Sequence, residues 1–306
     1  MNRAKKTALG VAAAGVLLTS ASCSRKEPPV PQVASGTLER FPAFASAHIP
    51  PRTLSVWLPD GYVPGEELDV LYMHDGQMLF DPKTTWNHRA WEVDDVLGGL
   101  MAAGDIRRCM VVGIDNTRAR LYEYFPDQML PYLPEEERAR INAAKFQGDA
   151  YLRFLVEEVK PFIDKQFQPA QGPEHTFICG SSMGGLISLY ALCEYPAVFG
   201  GAACLSTHLT FAHMPYGKKA DAWADAFRAY VRDHLPAPDT ALLYMDHGTK
   251  GLDEAYGPDQ EKMDAVILAH GWDSAHFKTS IYQGDDHNET CWSARLSVPL
   301  ELFLGK

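Results

Sequence analysis

Positive charge is in short supply in this chain: 28 Lys and Arg stand against 39 Asp and Glu, for a formal net charge of −11. Losing a leader that carries Arg3, Lys5 and Lys6 would take the balance to −14. An acidic body without a basic stripe has no long-range attraction for nucleic acid or anionic lipid, so a polyanionic ligand would need its own local cationic pocket. Cysteine is also scarce. Six are present, none in a C-x-x-C pair or at metal-ligand spacing, so neither a metal site nor a redox motif is expected. Cys109, Cys179 and Cys204 lie in apolar runs and read as small core residues, whereas Cys193 and Cys291 stay open. Internal repeats are missing, and 306 residues with 46% hydrophobic content read as one large domain with an ample core. The apolar stretch Ala8 to Leu18 is too short to span a bilayer as a stable anchor.

That stretch follows a basic start and ends in Leu17-Leu18-Thr19-Ser20-Ala21-Ser22-Cys23, which reads as a secretory signal. Its end resembles a bacterial lipoprotein cleavage site with Cys23 as the lipidated first residue, although Ser20 stands where that pattern has an aliphatic residue. The expected organisation is a signal over residues 1–22, a tether over 23–36 containing Pro28, Pro29 and Pro31, and a single catalytic domain over 37–306. Export follows from the signal, with the lipid anchor as the only membrane contact.

In the body, Gly180-Ser181-Ser182-Met183-Gly184 sits between a β-like run, Thr176 to Cys179, and a helical one, Gly185 to Leu192. Strand, sharp turn and helix make a nucleophile elbow, in which small neighbours let the backbone strain and hold the central hydroxyl out of the sheet. Ser182 is the nucleophile candidate. Around it, short apolar runs at Val70 to Met73, Met110 to Ile114, Phe177 to Cys179, Ala202 to Leu205 and Leu242 to Met245 suit parallel strands buried on both faces. Helical spacing at Tyr151 to Ile163, Gly185 to Glu194 and Asp259 to His270 alternates with them. The fold class is therefore α/β, a mostly parallel central sheet with helices on both faces and its chemistry at the carboxyl ends of the strands. The proline-rich segment from Phe125 to Gln147 breaks this rhythm and reads as a surface connection, or else as a lid.

A serine needs a base, and the base an acid to fix its tautomer; in the α/β-hydrolase arrangement they follow the serine in the order acid, histidine. His287 alone combines a late position with a loop after a strand-like run and before the last helix. The acid should lie just past Leu242 to Met245, where Asp253 is preferred over Asp246 and Glu254 because its loop has enough chain to reach the histidine. Two backbone N–H groups must meet the developing oxyanion. Met183 follows the nucleophile and supplies one; Gln77 or Gly76, in the His74-Asp75-Gly76-Gln77 turn after an early strand, supplies the other.

Together, Val70 to Asp81, Gly180 to Gly185, Asp246 to Asp253 and His287-Asn288-Glu289 resemble the Putative esterase family of enterochelin-esterase-like hydrolases, feruloyl and acetyl-xylan esterases, esterase D and mycolyltransferases. The resemblance implies an α/β-hydrolase fold, a serine carboxylic-ester hydrolase with a Ser-Asp-His triad working through an acyl-enzyme, and no cofactor. Many relatives carry an acidic residue one to three positions after the Gly248-Thr249 pair, where Lys250 and Gly251 stand here, so the acid stays open. Arg118 and Arg120 offer planar donor forks for a carboxylate or catecholate, or pair with Glu123 or Asp115; Trp86 and Tyr122 offer stacking, and His208 a rim position. The expected substrate is a small-molecule or glycan ester: a siderophore ester, or a hydroxycinnamoyl or acetyl ester of a polysaccharide. Acyl transfer to a sugar or lipid alcohol, or ligand capture by a non-catalytic tethered protein, are the competing functions.

Overall fold

A computed structural model describes residues 29–214 and 219–306. The leader and Cys23 lie outside them, as does the tether as far as Pro28. Eight strands form one sheet: β1 (Thr37–Phe44), β2 (Arg52–Leu58), β3 (Asp69–His74), β4 (Cys109–Ile114), β5 (Thr176–Ser181), β6 (Gly201–Leu205), β7 (Leu242–Lys250) and β8 (Phe277–Asp286). Their order is β1-β2-β4-β3-β5-β6-β7-β8. The β1–β2 and β2–β4 pairs are antiparallel and every later pair is parallel. The mostly parallel sheet is the one expected.

The continuous apolar runs are explained by burial on two faces. Along β3, Val70 and Tyr72 enter one core while Leu71 and Met73 enter the other. Each such side chain stabilises the fold by roughly 1.5–3 kcal/mol, so a central strand gains nothing from a polar alternate position. The second core is roofed by α1 (Val93–Ala103), whose Val93 and Leu97 point inward, and by the C-terminal helix with Leu300 and Phe303. The first core is covered by α2 (Gly148–Arg153), a π-helical stretch (Phe154–Val159), α3 (Lys160–Phe167), α4 (Met183–Glu194), α5 (Ala220–His234) and α6 (Gly257–Ala269). The chain ends with α7 (Glu289–Arg295) and α8 (Ser297–Leu304). Cys109, Cys179, Cys193 and Cys204 are buried as free thiols, and Cys291 is half-buried with its sulfur accepting from the Asp286 N–H at 3.3 Å.

Two segments differ from expectation. Residues 32–36 lie against the body instead of standing off it: the Gln32 N–H donates to Asp81 (3.0 Å), the Ala34 N–H to Asp94 (2.6 Å), and Trp57 Nε1 to the Ser35 carbonyl (2.7 Å). These amides find fixed acceptors across the chain, which moves the end of any free tether back to about Pro31. Phe125 to Gln147 is a packed connection: Phe125, Met129, Leu133 and Phe146 enter the core, and the Trp223 indole of α5 donates to buried Glu137 at 3.2 Å.

The connection is closed by Asp127, whose carboxylate accepts from the Gly148 and Asp149 N–H groups at 3.2 and 3.1 Å, at the start of α2. Burial pushes its pKa up to about 7, against the pull of those two bonds. A Cβ on Gly148 would overlap the Phe125 carbonyl oxygen. Gly148→Ala is accordingly expected to cost at least about 2 kcal/mol, read as a lower urea midpoint at unchanged m-value.

Candidate active site

Strand β5 ends at Ser181, and Ser182 then takes φ 59° and ψ −119°, a strained turn immediately before α4. The glycines permit it for specific reasons. A Cβ on Gly180 would stand 2.8 Å from both the Gly184 backbone and the His74 ring, and one on Gly185 would stand 2.5 Å from Thr207 Oγ1. Gly184 has ordinary room by comparison, so the tight approaches are at Gly180 and Gly185. The Ser182 carbonyl is held by the N–H groups of Gly185, Leu186 and His208 at 3.1, 3.2 and 3.2 Å.

The parallel register brings the partners alongside. Ser181 lies opposite Leu205, and Leu205 opposite Asp246, so the carboxyl ends of β5 and β6 are level with Asp246, and β7 runs on past them to Lys250 before the turn that carries Asp253. At the end of β8, His287 lies between the rings of Trp292 and Tyr256, both edge-on, with centroids at 5.0 and 5.6 Å. Its Nδ1 is 2.6 Å from Asp253 Oδ1. The second Asp253 oxygen accepts from Ser206 Oγ at 2.5 Å and from the Gly248 N–H at 2.7 Å. Burial opposes ionisation of Asp253, but the bonds to His287, Ser206 and Gly248 outweigh it and hold the carboxyl below its ordinary value.

Asp246 is fully buried and engaged elsewhere: Arg295 reaches both its oxygens at 2.9 and 3.0 Å, and the Ser206 N–H and Tyr244 hydroxyl donate to it. Glu254 is exposed. Of the three acids weighed, Asp253 is the one joined to His287.

The Met183 N–H opens α4, and the Gly76 and Gln77 N–H groups open a 3-10 turn (Gly76–Met78); first-turn amides have no intrahelical acceptor. Gly76 is required by close approach, since a Cβ there would stand 2.7 Å from the Ile114 nitrogen of β4. Gln77 uses its side chain to accept from the Asn116 N–H at 3.0 Å, which ties the turn to the next loop. Beneath it, His74 Nδ1 meets the Tyr151 hydroxyl at 2.7 Å, and burial drives the imidazole pKa down to about 3.

Two cavities open at Ser182. A cleft of about 480 Å³ is lined by Trp86, Asn87, Asn116, Arg120, His287 and Trp292; a smaller one of about 210 Å³ is lined by Leu121, Met183, Ala212, Met214 and Leu252. A larger cavity of about 590 Å³ lies at the other ends of the strands, but its Arg107 and His175 are both paired with Asp69. The chemistry converges on Ser182.

Of the rim candidates, Trp86 is 82% exposed at the cleft edge. Arg120 lines both cavities, but it pairs with Asp75 through two 2.7 Å bonds and not with Glu123 or Asp115, because Glu123 is taken by Arg52. Burial opposes ionisation of Asp75, but that pairing and a bond from Asn116 outweigh it and hold its carboxyl below the usual value. Arg118 is exposed and lines neither cavity. Tyr122 is turned by the helical turn Arg120–Glu123 onto Phe146, away from the cleft. His208 lines the small cavity, but both ring nitrogens are engaged, with Tyr256 and the Ala212 carbonyl, which removes it as a direct ligand for substrate. Sequence reasoning missed Ser206, Tyr256, Trp292 and Arg295, which carry no motif of their own.

The sequence model of the family described as "Putative esterase" matches residues 49–299. The Bacillus subtilis (strain 168) protein YbbA is 24% identical over 262 residues, covering 83% of this chain and 93% of that one. A ferulic acid esterase from Anaeromyces mucronatus, AmCE1/Fae1A in complex with ferulic acid, superposes with a TM-score of 0.61 at 16% identity, covering 91% of this chain and 95% of its own. The enterobactin esterase FES from Shigella flexneri gives 0.61 at 17% identity over 89% of this chain and 60% of that one. At these identities the two structures are similar in fold.

Arg295→Met leaves the buried Asp246 carboxylate without its cation, and is expected to destabilise the protein by about 3–5 kcal/mol in urea unfolding.

Proposed function

The chain belongs to the Putative esterase family and is a carboxylic ester hydrolase, and from that premise we propose that it works through an acyl-enzyme on Ser182. The observation that carries the reading is the convergence of a strained serine turn, an imidazole and a buried, ionised carboxylate past the carboxyl ends of the parallel strands β5, β8 and β7. In this mechanism Ser182 Oγ attacks the ester carbonyl carbon while His287 Nε2 takes its proton. Asp253 holds the Nδ1–H, fixing the tautomer and balancing the imidazolium. The N–H groups of Met183 and of Gln77 or Gly76 receive the oxyanion. His287 then returns the proton to the departing alcohol, and water, deprotonated by the same imidazole, releases the acid.

The two cavities suggest how the ester is divided. The small apolar one suits the acyl group, and the larger one, with Trp86 at its edge and Arg120 and Asn116 inside, suits a polar or glycan alcohol. A siderophore ester and a hydroxycinnamoyl or acetyl ester of a polysaccharide both meet that description. We further propose that the protein is exported and held to a membrane by lipid on Cys23.

Intact-protein mass spectrometry after fluorophosphonate treatment tests the nucleophile: one adduct mapping to Ser182 and absent from Ser182→Ala is expected, and an unlabelled, folded wild type would sink the reading. Asp253→Asn leaves His287 free to take the wrong tautomer, and is expected to lower kcat by roughly 10³–10⁴ with little change in KM.

A further inference from the structure

The turn that carries the Gly76 and Gln77 amides begins at Asp75, which holds φ 57° and ψ 45°, the left-handed region that residues with a side chain rarely adopt. Such a residue persists only where its surroundings over-determine it. Here every polar group of Asp75 is held. Its N–H donates to the Tyr124 hydroxyl at 3.3 Å, and its carbonyl accepts from the Met78 N–H at 2.8 Å. Its carboxylate accepts from Arg120 Nε and Nη2, both at 2.7 Å, and from Asn116 Nδ2 at 2.5 Å. Asn116, Arg120 and Tyr124 all lie in the stretch that follows β4, so one segment grips the residue from which both amides follow. Arg120 also spans the site. The same Nη2 donates to the Ser181 carbonyl at 3.4 Å, one residue before the nucleophile, and the guanidinium lies 5.0 Å over the Tyr124 ring. A planar fork fixes direction as well as distance, which a lysine ammonium does not.

We propose that Arg120 is a positioning residue for the oxyanion hole: through Asp75 it sets the Gly76 and Gln77 N–H groups, and through Ser181 it keys them to the serine turn. The inference rests on the Ser182 acyl-enzyme reading. As Ser182 Oγ bonds to the carbonyl carbon, the carbonyl π pair moves onto oxygen, and the donors must already stand where that charge appears. Left-handed backbone at a residue such as Asp75 costs on the order of 1–3 kcal/mol, so a turn released from its clamp relaxes away from that geometry. The consequence falls on the rate. A misplacement of about 1 Å costs on the order of 10²-fold.

The test compares kcat/KM for p-nitrophenyl acetate and for p-nitrophenyl thionoacetate, which replaces the carbonyl oxygen by sulfur, in the full-length wild type and two variants. Sulfur is larger and a poorer acceptor, so donors aimed at an oxyanion favour the oxygen ester, and the ratio of the two rates reports their alignment. Arg120→Lys keeps the charge and loses the fork. Asp75→Asn combined with Arg120→Gln removes both charges, leaves no lone ion buried, and keeps at position 75 a residue type that tolerates the left-handed region. In both, kcat/KM for the oxygen ester is expected to fall about ten- to hundredfold and that for the thionoester much less, so the ratio drops. A packing role, or a contact with substrate alone, would lower both esters together. Thermal unfolding of each variant confirms the fold; if the double variant does not fold, Arg120→Lys decides the matter. Folded variants that keep the wild-type ratio would overturn the inference and leave the nucleophile standing. A wild type inert toward both esters would overturn the inference together with the acyl-enzyme reading.

Discussion

Everything at the candidate site is arranged around one buried cation. Arg295 is 2% exposed and sits under the ends of β6 and β7, where it reaches Asp246, Asp285 and Ser206. A guanidinium can satisfy several acceptors in one plane, and here it neutralises Asp246, which would otherwise be a solitary charge in the core. Asp246 in turn fixes the Ser206 backbone. With its Oγ accepting from Arg295 and Trp292, Ser206 can direct its own proton only outward, to Asp253. The orientation of the histidine thus descends, link by link, from an arginine that lines neither cavity at Ser182.

The sheet supplies the other constraint. Because β5 to β8 are parallel and all carry their carboxyl ends to the same edge, Ser182, Asp253 and His287, from three distant stretches of chain, meet without long loops. The cost is concentrated in the serine turn, where strained backbone is held by the packing of Gly180 and Gly185 against fixed neighbours. Tight packing on both faces of the sheet makes that cost bearable.

The sequence was most legible where geometry demands a particular residue type in a short window. The glycines around Ser182 and the apolar runs on either side announce a strand, a turn and a helix. The late position of His287 follows from chain order. Asp253 was preferred to Asp246 only because its loop has the chain to reach the histidine; what removes Asp246 is Arg295, 49 residues beyond it in sequence. Tyr256 and Ser206 were invisible for a related reason, since a lone hydroxyl acquires its role only from neighbours that the fold brings to it. Strand β1 is half-exposed and interrupted by Pro42, so it had no period to show. On the rim, the two-residue step from Arg120 to Tyr122 crosses a helical turn, which keeps the arginine at the cleft and carries the tyrosine off to Phe146.

The docking of residues 32–36 sets a length scale for the whole molecule. Gln32 is fastened to Asp81, so a lipid on Cys23, as proposed above, would be separated from the body by a leash of nine residues, at most about 30 Å of chain. That is little more than the width of a small domain. On that proposal the enzyme would work at the membrane surface, on esters that diffuse to it rather than in the volume beyond. Tension on the leash would enter the body where Asp81, Asp94 and Trp57 hold residues 32–35, leaving the serine turn out of the line of force.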